Sequence, residues 1–143
     1  PVNLGMKFQA DTAGWITGIS FYKGATNTGT HTGYLWTATG DLLASATFTN
    51  ESASGWQSVT LSNQVAVSAN TTYVVSYSAN GNYSATSGYF DNSVSNGNLE
   101  AMSSALSGGN GVYAYGTAGL FPTSTYHGTN YYFDVAFRPQ LSA

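Results

Sequence analysis

Cysteine is missing from this 143-residue chain, and charge is scarce. Without thiols there is no disulfide framework, no thiolate metal centre and no cysteine nucleophile. Charged residues make up 6% of the sequence, and the basic ones are three, Lys7, Lys23 and Arg138. Phosphate recognition needs clustered Lys and Arg, so three scattered cations argue against nucleic acid and against an anionic membrane surface as partners. No apolar run approaches the roughly 18 residues of a membrane-spanning helix. No GxSxG stretch occurs, which removes the usual sequence mark of a nucleophile elbow. Internal repeats are not visible either.

What the chain does have is neutral polar residues and aromatics. Aromatics form 15% of it, and eleven of them are Tyr. A surface solvated by Ser, Thr, Asn, Gly and Tyr instead of Lys and Glu is expected of a secreted or cell-surface domain. The chain opens on "PVNLGMKF", which already reads as a strand. Residues 1–143 are therefore expected to be a single module of a longer secreted protein, with other domains of that chain as neighbours.

Short runs rich in Val, Ile, Thr, Tyr and Phe recur between Gly, Asn and Asp. They predict strands near 3–9, 15–23, 33–38, 42–49, 56–61, 64–67, 71–78, 83–90, 111–116 and 130–138. Gly40 falls where a hairpin wants positive φ, and Asn80-Gly81 is a strong hairpin signal. Many short antiparallel strands with no long helical period predict an all-β antiparallel sandwich, jelly-roll-like, with at most one short helix. The helical candidate is "NLEAMSSAL", with Asn98 as cap and Gly108 as stop.

Alternation assigns the faces. Tyr73, Val75 and Tyr77 form the heavier, core-facing side of their strand, opposite Val74, Ser76 and Ser78. Leu42, Ala44, Ala46 and Phe48 point inward. So do Tyr131, Phe133, Val135 and Phe137, which leaves Tyr132, Asp134 and Ala136 outward. Trp56 shares a face with Ser58 and Thr60, opposite Val59 and Leu61, and is expected at the surface.

The stretch "TGISFYKGATNTGTHTGYLWTATGDLLASATFTNESASGWQSVTL", followed by "VAVSANTTYVVSY", "NGVYAYG" and "NYYFDVAF", resembles a bacterial extracellular family catalogued as domain-of-unknown-function family 4082. The resemblance runs through nearly the whole chain, with "FYKG" and "NTGTHTG" before "LW" as its most specific part. It implies a β-sandwich accessory module of large secreted proteins, beside glycan-active or adhesive parts. It supplies no catalytic residues.

Candidate chemistry is thin. His31 and His127 fall in polar loops, where a histidine is ordinarily a solvated hydrogen-bonding residue. Lys23 and His31 are expected to be structural, the stem of Lys23 lying over an aromatic. Of the six acids, Asp41 and Glu51 read as turn residues. Asp91 and Asp134 are the pair left for a two-carboxylate glycosidase. Asp91, Asn92, Asn96, Asn98 and Glu100 are hard oxygen donors that would suit a structural calcium, although tight turns demand the same residues. Lys7 with Asn130 and Asp134 has positions suited to a Lys–Asx cross-link, the plainer reading being a solvated lysine.

Aromatic surface remains. Tyr offers a flat apolar face with a polar tip, suited to the C–H face of a sugar ring. Most tyrosines belong to the core, but Tyr83, Tyr89, Tyr113, Tyr115, Tyr126 and Tyr132 lie in loops or on outward faces. The expected ligand site is the outward face of the last strand, at Tyr132 and Asp134. Loops carrying Tyr89, Tyr113, Tyr126 and His127 would roof it, with Trp56 as the next candidate. The expected function is a non-catalytic carbohydrate-binding module for a neutral polysaccharide or oligosaccharide. The alternative is a structural or adhesive spacer with no small ligand.

Overall fold

Eleven strands form among residues 1–103, 109–126 and 128–140, which are those described, the side chain of Asn96 excepted, by a computed structural model. They are β1 (Val2–Ala10), β2 (Gly14–Lys23), β3 (Thr32–Thr37), β4 (Leu42–Thr47), β5 (Gly55–Val67) and β6 (Tyr73–Ala79), then β7 (Val94–Asn96), β8 (Leu99–Ala101), β9 (Val112–Tyr115), β10 (Ser124–Thr125) and β11 (Phe133–Pro139). Every pairing between them is antiparallel. The larger sheet runs β10-β9-β1-β6-β3-β4, with β8 also on β1 and β7 on β8. The smaller runs β11-β2-β5. The protein is an all-β antiparallel sandwich.

Period-two alternation fills the space between the sheets. Leu4 and Phe8 from β1, Ile16, Ile19 and Phe21 from β2, Val75 and Tyr77 from β6, and Phe133 and Val135 from β11 are all buried there. Phe21 is the hub, stacked on Tyr77 at 4.3 Å between centroids and edge-on to Phe48 at 4.8 Å. Burying a side chain of this size stabilises by about 1.5–3 kcal/mol.

The second face of β6 is also buried, which the weaker polarity pattern of Val74, Ser76 and Ser78 had not suggested. Val74 packs with Trp36 and Val112 under Phe121 and Tyr34, and the Trp36 indole N–H donates to Ser76 Oγ at 2.9 Å. Asn3 ties down the segment that covers this face. Its amide donates to the Thr117 carbonyl at 3.0 Å, and its oxygen accepts from Gly119 N and Ser78 Oγ.

The edge of β1 facing away from β6 is paired three times. β9 takes Val2 to Gly5, β8 takes Phe8 to Ala10, and Asn110 fills the gap between them. The Asn110 side chain accepts from Lys7 N at 2.8 Å and donates to the Lys7 carbonyl at 2.9 Å, imitating a strand residue. It also donates to the Met102 carbonyl. The next residue must be glycine: Gly111 has φ 75°, and a Cβ there would sit 1.9 Å from the Thr129 carbonyl oxygen.

Three expectations about local structure give way. The strands at 56–61 and 64–67 are one continuous β5, whose register against β2 shifts between Ile16 and Gly18. Residues 83–90 are not a strand. Gly81 does take positive φ, but the turn leads into a loop that touches the sheet through a single Thr86–Asn130 bridge and then makes a 3₁₀ turn at Tyr89–Asp91. The expected helix at 98–106 begins instead as β8, because Leu99 packs into the core and the open edge of β1 offers it hydrogen bonds; residues 104–108 lie outside the described part.

Asn110→Ala should lower unfolding stability by about 3 kcal/mol, because it strands Lys7 and Met102 backbone groups in a buried setting. Urea denaturation measures it; a loss under half that figure would mean that water or a neighbour replaces the amide.

Candidate functional site

The smaller sheet carries its aromatic side chains outward at one end. Phe21 and Gln57 turn inward, so their neighbours Tyr22 and Trp56, directly opposite each other in the β2–β5 register, turn out. Trp56 is 53% exposed and Tyr22 40%. Tyr132 completes the row, since its carbonyl accepts from Tyr22 N at 3.1 Å. The Tyr22 ring lies 5.8 Å from Trp56 at 79° and 6.3 Å from Tyr132 at 58°. Two residues further along the strands, Asp134, Ser20 and Ser58 form a parallel polar row, with the two serine hydroxyls 2.8 Å apart.

Tyr132 is held in an unusual backbone state. Its φ of 63° is left-handed, which a bulky residue adopts only when its surroundings enforce it. The enforcement is visible: Tyr132 N donates to Asn130 Oδ1 at 2.7 Å, its carbonyl holds Tyr22, and its hydroxyl hydrogen-bonds Thr86.

Beside this row a groove wraps the free edge of β11. Phe133, Asp134 and Val135 form one wall, Met6, Phe8 and Leu99 of the larger sheet the other, and Tyr89, Phe90 and Val94 the roof, with Trp56 at its mouth. Its cavity volume is about 220 Å³. That is below the roughly 300–1,000 Å³ of pockets that enclose a small molecule, so the groove suits part of an extended ligand.

The expected site residues divide. Tyr132 and Asp134 are outward, and Asp134 and Tyr89 both line the groove. Tyr113 is elsewhere, on β9 of the larger sheet, half-buried with its ring 5.4 Å from Tyr115. Tyr126 is exposed beyond β10 and does not line the groove. His127 lies outside the described residues. Trp56 belongs to both the row and the groove. Tyr22 joins the site beyond the expected residues, and alternation from buried Phe21 in "ISFYKG" is the signal that places it outward.

Lys23 and His31 are both built into the structure, His31 not as the solvated loop residue that its position suggests. His31 is 1% exposed and Lys23 7%. Glu51, which read as a turn acid, joins them. Its Oε1 is 3.2 Å from Lys23 Nζ and 2.8 Å from His31 Nδ1. The other ring nitrogen of His31 lies 2.7 Å from Asn27 Oδ1, and the Asn27 amide donates to the Tyr77 hydroxyl at 3.2 Å. Lys23 also donates to the Ser52 carbonyl at 3.0 Å. This chain runs from the loop ends into the core and pins the "ATNTGTHT" connector.

The other chemical candidates separate in space. Lys7 lies on the β1 face opposite Met6 and Phe8, on the outer side of the larger sheet, while Asp134 is on the outer side of the smaller one. The two therefore do not meet as a cross-linked pair. Asp91 does not line the groove with Asp134. Among the oxygen donors, Asn98 and Glu100 line a polar pocket of about 130 Å³ with Asp11, Asn70 and Ser95. Among the described residues no three His, Asp or Glu side chains cluster as a metal site.

Four tyrosines, Tyr83, Tyr113, Tyr115 and Tyr131, lie near one another. Tyr83 packs edge-on to Tyr131 at 5.6 Å. Burial pushes the Tyr131 hydroxyl up to about 12, helped by Tyr83, Tyr113 and Tyr115. Tyr77 is raised further by burial, and Tyr83 is raised more modestly by the same cause.

A two-sheet sandwich that displays an aromatic row next to a polar row and a shallow groove is a small β-sandwich module. The family model described as "Domain of unknown function (DUF4082)" matches residues 1–133, and the chain belongs to that family. No curated protein and no solved structure matches it. Among the described residues no helix is long and apolar enough to cross a membrane.

Two outcomes follow for the buried groups. Glu51→Ala leaves the buried Lys23 ammonium unpaired and should cost about 3 kcal/mol in chemical denaturation; a cost under 1 kcal/mol would show that Lys23 reaches solvent. A raised tyrosine favours folding fully below its unfolded value of about 10 and loses that contribution as pH climbs towards the folded value. The melting temperature should therefore fall between about pH 10 and pH 12, and Tyr131→Phe should flatten part of that fall. An unchanged slope would remove Tyr131 as a cause.

Proposed function

We propose that this protein is a non-catalytic carbohydrate-binding module of a secreted or cell-surface protein, tethering its parent to a polysaccharide. The row of exposed Trp56 and Tyr22 with half-buried Tyr132, beside Asp134, Ser20 and Ser58, is the observation that carries the reading. Aromatic faces complement the apolar C–H faces of sugar rings, and a carboxylate and hydroxyls accept from sugar hydroxyls. The strained backbone of Tyr132 adds support, since strain held by several tethers concentrates at functional positions.

A binding role is favoured over hydrolysis by the placement of the carboxylates. Glycosidases need two, about 5–10 Å apart across the scissile bond. Glu100 borders the same groove as Asp134, but its place on β8 beside inward Leu99 directs it to the outer side of the larger sheet. Asp134 is on the outer side of the smaller sheet, so the two belong to opposite outer faces of the sandwich.

Affinity electrophoresis against a panel of polysaccharides tests the reading. Retardation by one glycan class is expected. Trp56→Ala and Tyr132→Asn, the latter chosen because Asn tolerates a left-handed backbone, should each weaken it about thirtyfold, or about 2 kcal/mol. A folded protein that no glycan retards would favour the spacer role, with the row sealing a contact between domains.

A further inference from the structure

The arrangement of rings and charges narrows the ligand. Trp56 and Tyr22 stand at 79° to each other, and Tyr22 and Tyr132 at 58°. Rings so inclined cannot all lie flat on one plane, which is what the face of a crystalline polysaccharide would require. The surface continues from Trp56 and Asp134 around the edge of β11 to Tyr89, so a ligand in contact with all of it must bend out of the sheet plane.

Charge selects in the same way. The chain has three cationic side chains, and none belongs to the row or the groove. Lys23 is buried against Glu51. Arg138 donates to Gln64 Oε1 at 2.7 Å with its guanidinium 5.9 Å above Trp15, towards the far end of β11. Lys7 belongs to the outer side of the other sheet. Asp134, meanwhile, stands exposed in the site, with one carboxylate oxygen accepting from Val135 N. A uronate or sulfated chain would meet a like charge and, among the described residues, no counter-charge.

We infer that this surface, within the carbohydrate-binding reading on which the inference rests, takes a single soluble chain of uncharged sugars bent around the β11 edge. It rejects flat crystalline faces and polyanionic glycans.

Three sets of probes test this on the intact chain. Soluble neutral polysaccharides (xylan, glucomannan, galactomannan, hydroxyethyl cellulose) are cast in native gels. Polygalacturonate and alginate are run the same way at low salt. Microcrystalline cellulose and chitin powders are used in sedimentation assays. At least one neutral polysaccharide should retard the protein, while the powders and the uronates leave it free. Tyr89→Ala, on the far side of the edge from the row, should weaken neutral binding at least fivefold. Asp134→Lys should gain retardation by polygalacturonate.

Sedimentation with a powder, or uronate retardation equal to the neutral one, overturns the inference while leaving carbohydrate binding intact. So does full affinity in a folded Tyr89→Ala, or no gain in a folded Asp134→Lys. Failure of every probe removes carbohydrate binding and this inference together.

Discussion

The Asn110 carboxamide facing the backbone of Lys7 is the contact on which the groove depends. β1 offers one long edge to two short strands that cannot meet, and this amide spans the interval as a strand residue would. With it in place β8 docks on β1, and β7 on β8. Leu99 and Val94 then reach the groove as wall and roof, beside the 3₁₀ turn that delivers Tyr89 and Phe90. The groove therefore depends on one neutral side chain that does not itself line it.

The other end of the scaffold is fixed by a different device. The Lys23–Glu51–His31–Asn27 chain ends on the hydroxyl of Tyr77, whose ring stacks on Phe21. Phe21 precedes Tyr22, so the residue that fills the core also sets the outward angle of the row. Burial makes such a cluster intolerant of losing one member, since each charge relies on the others for solvation. Core, connector and aromatic row are thus coupled through consecutive residues of β2.

Much of this architecture was legible in the sequence, because alternation is a local property. It placed Phe133 and Val135 inward, Asp134 outward and Trp56 at the surface. It failed where the partner decides the structure. "NLEAMSSAL" has a helical spacing of apolar residues, but the unpaired edge of β1 recruits Leu99–Ala101 as a strand. His31 and Glu51 looked solvated because nothing local shows that residues 20 apart in sequence close over Lys23. Tyr113 and Tyr126 were grouped with Tyr132 by nearness in the chain, and the sheet order carries Tyr113 to the other layer.

The neutral polar contacts have a wider meaning. Asn3, Asn110, Trp36 with Ser76, and Asn80 with Thr28 join distant parts of the chain through dipoles rather than ions. Dissolved salt screens charges and leaves such contacts almost untouched. The Lys23–Glu51 pair is largely shielded from it by burial. A protein assembled in this way keeps the same shape in dilute and in saline surroundings, and the ionic medium ceases to be one of the variables that govern its fold.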